Sequence, residues 1–407
     1  MHETEFFSYI ENAHTPYHAA SESYTLLAKA GFLPWNGHSA LHMGGRYFYP
    51  LEEGLTLAFV MPTLSVDGAR IVASHNDSPC FRLKPSPTIR RDGASLLNLE
   101  CYGGPVLASW FDRPLAISGL AYTKGKTWDK PQGHLLTLPE RVTIPSLAAH
   151  MHREEGPLNV QNEMLALWGS AKAPSLEQAL ARALGVREED LLSHELYLVS
   201  DEGFSLVGTE GLVSGPRLDN LASAYAATSA LRAAAPRHHI ALFVSYNHEE
   251  IGSRSPSGAQ SARLRTLLDT IYKAADLANT PDELLLSLDG AHSVHPCYGT
   301  KADPVLRPVM GEGVVLKLSA SHSYATTGRG EAIFRALCQS ANIPYQTFAN
   351  RADMRGGSTI GPLAETANTL PAIDCGIPML SMHSARETAH LNDIQALEKL
   401  ALAFMSD

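Results

Sequence analysis

The feature that most constrains the fold is an alternation of short apolar runs with segments of helical spacing. Near the start, "LTLAFVMP" and "ARIVASH" have the character of strands, and "YHAASESYTLLAKAGF" has helical spacing. Later, the apolar runs "HHIALFVSY", "ELLLSLDGAH" and "LPAIDCGIPMLSMHS" alternate with the helical "SARLRTLLDTIYKAADLA" and "GEAIFRALCQSAN". This alternation predicts an α/β fold whose largely parallel sheet is covered by helices on both faces.

Between about residues 84 and 200 the character of the sequence changes. "PTIRRDGASLLNLECYGG", "RPLAISGLAY" and "HLLTLPERVTIP" are typical of short strands with Gly and Pro turns, and "SLEQALARALGVREEDLL" predicts an exposed helix and loop. Structureless connections above about 12–15 residues are uncommon, so this part is predicted to be a β-rich inserted domain. The expected division is 1–83 and 201–407 for one domain, interrupted by 84–200.

Composition excludes several classes of protein. The chain of 407 residues has a net charge of −10 and a pI near 6.0, which argues against a general nucleic-acid binder. Its five cysteines are odd in number and lack C-x-x-C spacing, so a reducing, cytoplasmic location is expected. The N-terminal stretch does not resemble a signal peptide, and the absence of 18 consecutive apolar residues predicts no membrane span.

Acidic and imidazole side chains recur where predicted strands stop. They are His75 and Asp77 after "RIVAS", Glu249 and Glu250 after "IALFVSYNH", Asp289 after "ELLLSL", and His383 after "IPMLSM". Asp219 opens a helix after the turn "SGPRLDN". Singly, Asp77 fits a turn, Asp219 a helix N-cap and His383 a hydrogen-bonded core histidine. Their recurrence at strand ends, where ligands of α/β sheets collect, favours a common site.

The chemistry of this set favours a catalytic metal site. Imidazole and carboxylate without thiolate suit zinc, manganese or cobalt. Two ions about 3.5–4 Å apart need a bridging carboxylate and two further ligands each, and another group must accept the proton of the activated water. The adjacent Glu249 and Glu250 fit this need, because one can bind metal while its neighbour acts as general base.

Ten stretches of the sequence, in order, resemble the M18 aspartyl aminopeptidase family of dinuclear zinc exopeptidases. They are "SHNDSPCFRLKP", "GGPVLASWFDRPL", "IPSLAAHMHR", "NEM", "RLDNLASAYA", "NHEEIGS", "DGAHSVHPCY", "LKLSASHSYATT", "DMRGGSTIGP" and "MHSARE". The resemblance spans nearly the whole chain. It implies a zinc-exopeptidase-type mixed sheet with an inserted dimerisation domain, and two divalent ions per subunit, zinc being expected and manganese or cobalt the alternatives.

The resemblance also assigns the metal ligands. It implies that His75 and Asp289 bind one ion and that Glu250 and His383 bind the other. Asp219 would bridge the two ions.

Further roles follow from the same resemblance. Glu249 would be the general base, and Asp77 would support the ligands without binding metal. The peptide bond between Asp219 and Asn220 is expected to be cis. His150, in "IPSLAAHMHR", would reach the active site of a neighbouring subunit in a tetrahedral homododecamer built from dimers.

Specificity for acidic N-terminal residues requires a cation in the substrate pocket. Lys317, in "VVLKLSASHSY", is the first choice by motif match, and Tyr324 and Arg355 are further candidates for substrate binding. Ser323 stands where the family pattern has Arg, and Arg355 stands where a small residue is expected. These departures bear on substrate preference rather than on metal binding.

The predicted function is therefore a metallo-aminopeptidase that releases N-terminal Asp or Glu from peptides. One alternative is an aminopeptidase of broader or different N-terminal specificity. Another is a catalytically silent, self-assembling scaffold that kept the fold, against which the intact ligand set and Glu249 argue.

Overall fold

The chain forms two compact units, each described here by itself. The computed structural model describes residues 3–51, 53–151, 156–277, 280–354 and 356–406. The first unit comprises Met1–Asp77, Phe204–Met382 and Glu387–Asp407, and the second comprises Ser78–Gly203 and His383–Arg386. The second unit and the predicted insert of 84–200 cover nearly the same part of the chain, and the dimerisation role of the insert stays a prediction.

Helices lie mostly in the first unit. Within the described residues they are α1 (Glu3–Asn12), α2 (Pro16–Lys29), α3 (Val160–Glu163), α4 (Leu176–Leu184), α5 (Leu218–Ala233), α6 (Arg263–Ala274), α7 (Gly328–Ser340), α8 (Ile360–Asn368) and α9 (Leu391–Met405). None of the described helices is long and apolar enough to cross a membrane.

The strands of the described residues, in chain order, are β1 (Leu33–Pro34), β2 (Arg46–Phe48), β3 (Thr56–Val60), β4 (Gly68–His75), β5 (Cys80–Arg91), β6 (Ala94–Tyr102), β7 (Leu115–Thr123), β8 (Gln132–Val142), β9 (Ala166–Ser170), β10 (Leu191–Ser200), β11 (Ser205–Leu206), β12 (Leu212–Gly215), β13 (His239–Tyr246), β14 (Asp282–Leu288), β15 (Ala291–His292), β16 (Val314–Lys317), β17 (Tyr345–Phe348), β18 (Ala372–Gly376), β19 (Pro378–Met379) and β20 (Glu387–His390).

The first unit is built around a mixed sheet with a parallel centre. In the described part of the chain its strand order is β1-β2-β3-β13-β4-β14-β18-β16-β17. The central neighbours β13, β4, β14 and β18 are parallel, whereas β2, β3 and β16 contribute antiparallel pairs. The predicted α/β class with a largely parallel sheet is thereby confirmed.

Apolar side chains of the central strands supply both faces of this sheet. In β13, Ala241 and Phe243 join one buried cluster, while Ile240, Leu242 and Val244 join another. This alternation follows from the two-residue period of a strand. The first cluster includes residues of α1, α2, α5 and α9, and the second includes residues of α6 and α8. A strand that is buried on both faces has a continuous apolar sequence, which is why "IALFV" contains no polar residue.

The second unit is built around an antiparallel sheet. In the described residues its strand order is β8-β7-β10-β5-β6-β9. Helix α4 begins with a capping box in which Ser175 and Gln178 exchange hydrogen bonds. The expectation that this helix is exposed is wrong for one of its faces, since Leu176, Leu180 and their neighbours are buried. That face closes part of the small core of the unit.

The run "LPAIDCGIPMLSMHS" folds differently from the single strand that its composition predicts. It forms β18 and the two-residue β19, and Ser381 and His383 have positive φ angles of 58° and 67°. His383 therefore lies on a loop in the left-handed region and not at the end of a strand.

Candidate metal centre

Three parallel strands bring polar residues to one edge of the sheet in the first unit. His75 is the last residue of β4 and pairs in register with Tyr246, the last residue of β13. The pairing of Ser287 with Ala73 carries Asp289, which follows β14, to the level of His75. The carboxyl ends of β13, β4 and β14 therefore deliver Glu249, His75 and Asp289 to the same place, as the sequence predicts.

His75 is buried at the centre of this group. Its Nδ1 lies 3.0 Å from the carbonyl oxygen of Asp77, which can only accept, so Nδ1 carries the proton. The Nε2 atom faces Asp289 Oδ1 at 3.4 Å and Asp219 Oδ1 at 3.7 Å, and it is the atom that can bind a metal ion when the ring is neutral. An imidazole nitrogen that faces two carboxylate oxygens has the arrangement of metal ligands around a cation.

Asp219 enters the group from the beginning of α5. Asp219 and Asn220 depart from helical geometry, and the peptide bond between them is cis, as expected. The side chain of Asn220 donates to the carbonyl of Leu288 at 2.8 Å, which ties this turn to the end of β14. The backbone N–H of Asp219 donates to Glu387 Oε2 at 2.8 Å. Sequence analysis gave Glu387 no role, although it stands in the quoted motif "MHSARE".

The adjacent glutamates lie on a short 3-10 turn, Glu249–Ile251, which is held by Asp77. Asp77 is fully buried, and its Oδ1 and Oδ2 accept the backbone N–H groups of Glu249 and Glu250, each at 3.1 Å. One carboxylate thus fixes both residues of the pair through their backbone. The ligand atoms of His75, Asp219 and Glu250 lie within 4.8 Å of one another.

The pKa values of these groups reflect crowded negative charge. Burial, with the carboxylates of Asp289 and Asp219 nearby, raises the pKa of Glu249 to about 8 even though His75 opposes the shift. Burial and the charge of Asp219 likewise raise the pKa of Glu250 well above its usual value. A bound dication would relieve the repulsion that adds to burial in raising both pKa values.

Asp289 is kept ionised by its cationic neighbours. Burial alone would raise its pKa, but Lys317 and His75 outweigh burial and lower the pKa to about 2. Lys317 ends β16 and is itself buried, with Nζ 3.8 Å from Asp289 Oδ2 and 5.4 Å from the centre of the Tyr324 ring. The predicted substrate-binding pair Lys317 and Tyr324 therefore packs against a predicted metal ligand.

Three predicted site residues either belong to the second unit or lie outside the described residues. His383 belongs to the second unit, where its Nδ1 donates to the carbonyl of Gly104 at 3.2 Å; this hydrogen bond leaves the lone pair on Nε2. His150 also belongs to the second unit and is exposed in a turn. Arg355, the third, lies outside the described residues. His152, which is expected to point the opposite way from His150 if this stretch is extended, also lies outside them. The roles of all of them stay predictions.

The residues present fit a zinc-type cation. The donors combine one imidazole with several carboxylates, and His75 and Asp219 are buried. Uncompensated carboxylates are costly to bury, so such a cluster is stable only with cationic partners. Lys317 supplies part of that positive charge, and metal ions would supply the rest, with His75 as a neutral ligand.

Comparison with known proteins gives the class of this site. The family profile described as Aminopeptidase I zinc metalloprotease (M18) matches residues 9–405. A "Probable M18 family aminopeptidase 2" from Clostridium novyi is 34% identical over 414 residues, covering 96% of this chain and 95% of the relative.

Solved structures agree with this assignment. Ape4, solved in complex with Nbr1, is 28% identical, with a TM-score of 0.90 over 99% of this chain and 85% of that one. The mApe1 structure from Saccharomyces cerevisiae has 23% identity and a TM-score of 0.84, covering 98% of this chain and 95% of that one, and shows likeness of fold alone.

The fold and the site define a zinc-dependent peptide hydrolase of the aminopeptidase class. The chain belongs to the M18 family of zinc metalloproteases.

Asp77→Asn tests whether the turn that carries the glutamates is held by this carboxylate. Asparagine keeps one acceptor oxygen but presents an N–H₂ group to the second backbone N–H, so the turn should shift. We expect zinc affinity to fall by about 10–100-fold, the usual effect of losing a group that orients ligands. Chelator competition would measure it.

The matched control is Asp282→Asn. Asp282 begins β14, at the opposite end of the same sheet, where it accepts from Arg70 at 2.8 Å and is largely exposed. Its replacement should leave zinc affinity unchanged. Equal zinc affinity in Asp77→Asn and the unmodified protein would contradict the role given to Asp77.

Proposed function

We propose that this metallo-aminopeptidase releases N-terminal residues from peptides, preferably Asp or Glu, with Glu249 as general base. One observation carries the proposal. The ligand atoms of His75, Asp219 and Glu250 converge within 4.8 Å beside Asp289, and Glu249 is fixed by the same carboxylate that fixes Glu250. Hydrolysis by an activated water requires metal ligands and, beside them, a carboxylate that accepts a proton from that water.

The proposed site holds two divalent ions, with zinc as the expected metal. His75 and Asp289 would hold one ion and Asp219 would bridge. Glu250 is a ligand of the other ion, to which the sequence resemblance adds His383. When bound, the ions supply a water of lowered pKa and a Lewis acid for the scissile carbonyl.

Glu249 moves the proton in this mechanism. As the water oxygen forms its bond to the carbonyl carbon, a carboxylate oxygen of Glu249 takes a proton from that water. The same carboxyl then gives the proton to the leaving amine nitrogen while the C–N bond breaks. Asp77 holds the Glu249 backbone during both transfers, because its Oδ1 accepts the N–H of that residue.

The two glutamates can be separated by substitution. Glu249→Gln should keep near-normal zinc content while kcat falls by roughly 10²-fold or more, the usual scale for losing a general acid–base. Glu250→Gln, the matched variant one residue away, should lower zinc content as well. Metal analysis beside turnover of a peptide substrate would separate them. Loss of zinc in Glu249→Gln but not in Glu250→Gln would mean that the roles are exchanged.

Lys317 is proposed to select acidic substrates. Its ammonium is buried, lies 5.4 Å from the Tyr324 ring centre and stands beside Asp289. A buried positive charge next to the reacting group attracts a carboxylate more strongly than an exposed one. Tyr324 and Arg355 are proposed as further contacts of the substrate.

Lys317→Ala should depress hydrolysis of Asp and Glu anilides far more than that of Leu anilides, by about tenfold or more in the ratio of kcat/KM. The reason is that only acidic side chains lose an opposite charge. Lys29→Ala, at the exposed end of α2, is the control and should leave the ratio unchanged. Equal losses on acidic and apolar substrates, with lowered zinc content, would show that Lys317 acts by holding Asp289.

We further propose that subunits share their active sites in a homododecamer. The S. cerevisiae mApe1 structure is of a dodecamer. His150 is exposed on the second unit, so its side chain is available to another subunit. There it would hydrogen-bond the charge that develops on the substrate carbonyl, an interaction typically worth about 3–4 kcal/mol. The second unit would supply the dimer contact.

Mixing two inactive variants tests the shared site. Glu249→Gln and His150→Ala should each have low activity alone. Mixed assemblies should recover part of it, since some sites would combine an intact Glu249 with an intact His150 from the neighbour. Activity would be measured after dissociation and reassembly, with each variant reassembled alone as its control. Absence of recovery in verified mixed assemblies would refute the shared site.

A cytoplasmic location is proposed as well. All five cysteines lie among the described residues, and none of them is in a disulfide bond. Free thiols are typical of proteins in reducing compartments.

A further inference from the structure

Asp374 is a fully buried carboxylate that the mechanism above does not use. It lies in the middle of β18, next to β14, and is 0% exposed. Its Oδ2 accepts the backbone N–H of Ala325 at 2.6 Å, and its Oδ1 accepts the hydroxyl of Thr359 at 2.8 Å. Both oxygens accept from donors, which favours the ionised form, although burial outweighs these bonds and raises the pKa of Asp374.

The first of these bonds fixes the segment that carries Tyr324. The Ala325 N–H donates to the Asp374 side chain. In addition, the backbone N–H of Asp374 donates to Thr326 Oγ1 at 2.9 Å. The segment 324–326 is therefore attached to β18 through both the side chain and the backbone of one residue. Tyr324 is buried within that segment and faces the Lys317 ammonium.

The second bond brings Asp374 to the beginning of α8. Thr359 is the N-cap residue of this helix, and its hydroxyl points to Asp374 rather than capping the helix. A Cβ atom on Gly361 would lie 2.2 Å from Asp374 Oδ2, so only glycine permits this approach. The positive end of the α8 dipole offsets part of the cost of burying the carboxylate.

Strand register brings Asp374 opposite Lys317. In the antiparallel pair of β16 and β18, Leu316 pairs with Cys375 and Val315 with Gly376. Continuing this register by one residue sets Lys317 against Asp374. Directly opposed residues of an antiparallel pair point to the same face, and opposite charges there attract. Burial lowers the pKa of Lys317, but the charges of Asp289, Asp374 and other neighbours outweigh burial and raise it.

We propose that Asp374 is a positioning residue for substrate selection, which holds Lys317 from across the strand pair and Tyr324 through the Ala325 N–H. This inference rests on the proposed role of Lys317 in recognising acidic substrates. Asp289 lies 3.8 Å from the ammonium, and Asp374 acts on the ammonium by its charge from the neighbouring strand. Asp374 thereby keeps Lys317 oriented when Asp289 is engaged in binding metal. Asp374 does not itself touch substrate.

A double-mutant cycle tests this role. kcat and KM would be measured on glutamyl and leucyl anilides for the unmodified enzyme, Asp374→Asn, Lys317→Ala and the double variant. Asp374→Asn should lower the glutamyl-to-leucyl ratio of kcat/KM by about tenfold, mainly through KM. In the double variant this effect should vanish, leaving a coupling of about fivefold or more between the two positions. Additive losses in the double variant would overturn the proposal.

Asp393→Asn is the matched control. Asp393 is an equally buried carboxylate in the first turn of α9 that accepts two backbone N–H groups, from Gly311 at 2.6 Å and Gly313 at 2.7 Å. Its replacement should lower the melting temperature without changing the substrate ratio or KM. If Asp374→Asn merely lowers stability in the same way, with both substrates affected equally, Asp374 is a structural residue only.

Thr359→Val covers the case in which Asp374→Asn does not fold. It removes only the hydroxyl donor to Oδ1, so it should shift the substrate ratio in the same direction by a smaller factor, and an unchanged ratio would count against the proposal. If the unmodified enzyme shows no preference for acidic substrates, the proposed specificity is wrong, and this result is distinct from a failure of the proposal for Asp374. The coupling between Lys317 and Asp374 in the free energy of unfolding of the same four proteins would then still decide whether Asp374 holds Lys317.

Discussion

Parallel pairing of β4 with β13 and β14 is the constraint on which the candidate metal centre depends. Parallel strands end at the same edge of a sheet. Strand pairing alone therefore brings residues that are far apart in the chain together at that edge. His75 and Tyr246 are in register at the ends of their strands, and Asp289 follows at the same level. Because these strands are buried on both faces, a slip in register would bring the wrong side chains into both cores, which fixes the site geometry.

This convergence has an electrostatic cost. Two like unit charges about 4 Å apart repel by roughly 4 kcal/mol at an effective dielectric constant of about 20. Burial is the largest cause of the raised pKa values of Glu249 and Glu250, and repulsion from neighbouring carboxylates adds to it. His75 and Lys317 stabilise Asp289, whose pKa is lowered to about 2. The cluster is therefore suited to a cation, whose charge would offset that of the carboxylates.

Acidic side chains in the first unit also serve as anchors for the backbone. Asp77 accepts the N–H groups of both glutamates, Glu387 accepts the N–H of Asp219, and Asp374 accepts that of Ala325. Each anchor fixes the backbone of a residue that carries a functional side chain, or of the residue next to it, rather than the side chain itself. Hydrogen bonds to charged acceptors contribute roughly 1.5–3 kcal/mol, enough to hold short turns in one conformation.

The sequence by itself determined the class of fold and the candidate residues at the strand ends, because apolar runs and their polar ends are local patterns with a physical period. It also carried the resemblance that distinguishes Glu249 from Glu250. Tertiary structure decided what no local pattern contains: that Asp77 holds both glutamates, that Glu387 anchors Asp219, and that Lys317 is buried against Asp289 with Asp374 across the strand pair. It also ended β19 early and put His383 on a left-handed loop. These features depend on contacts between segments distant in sequence, whose partners are chosen only when the strands pair and the cores close.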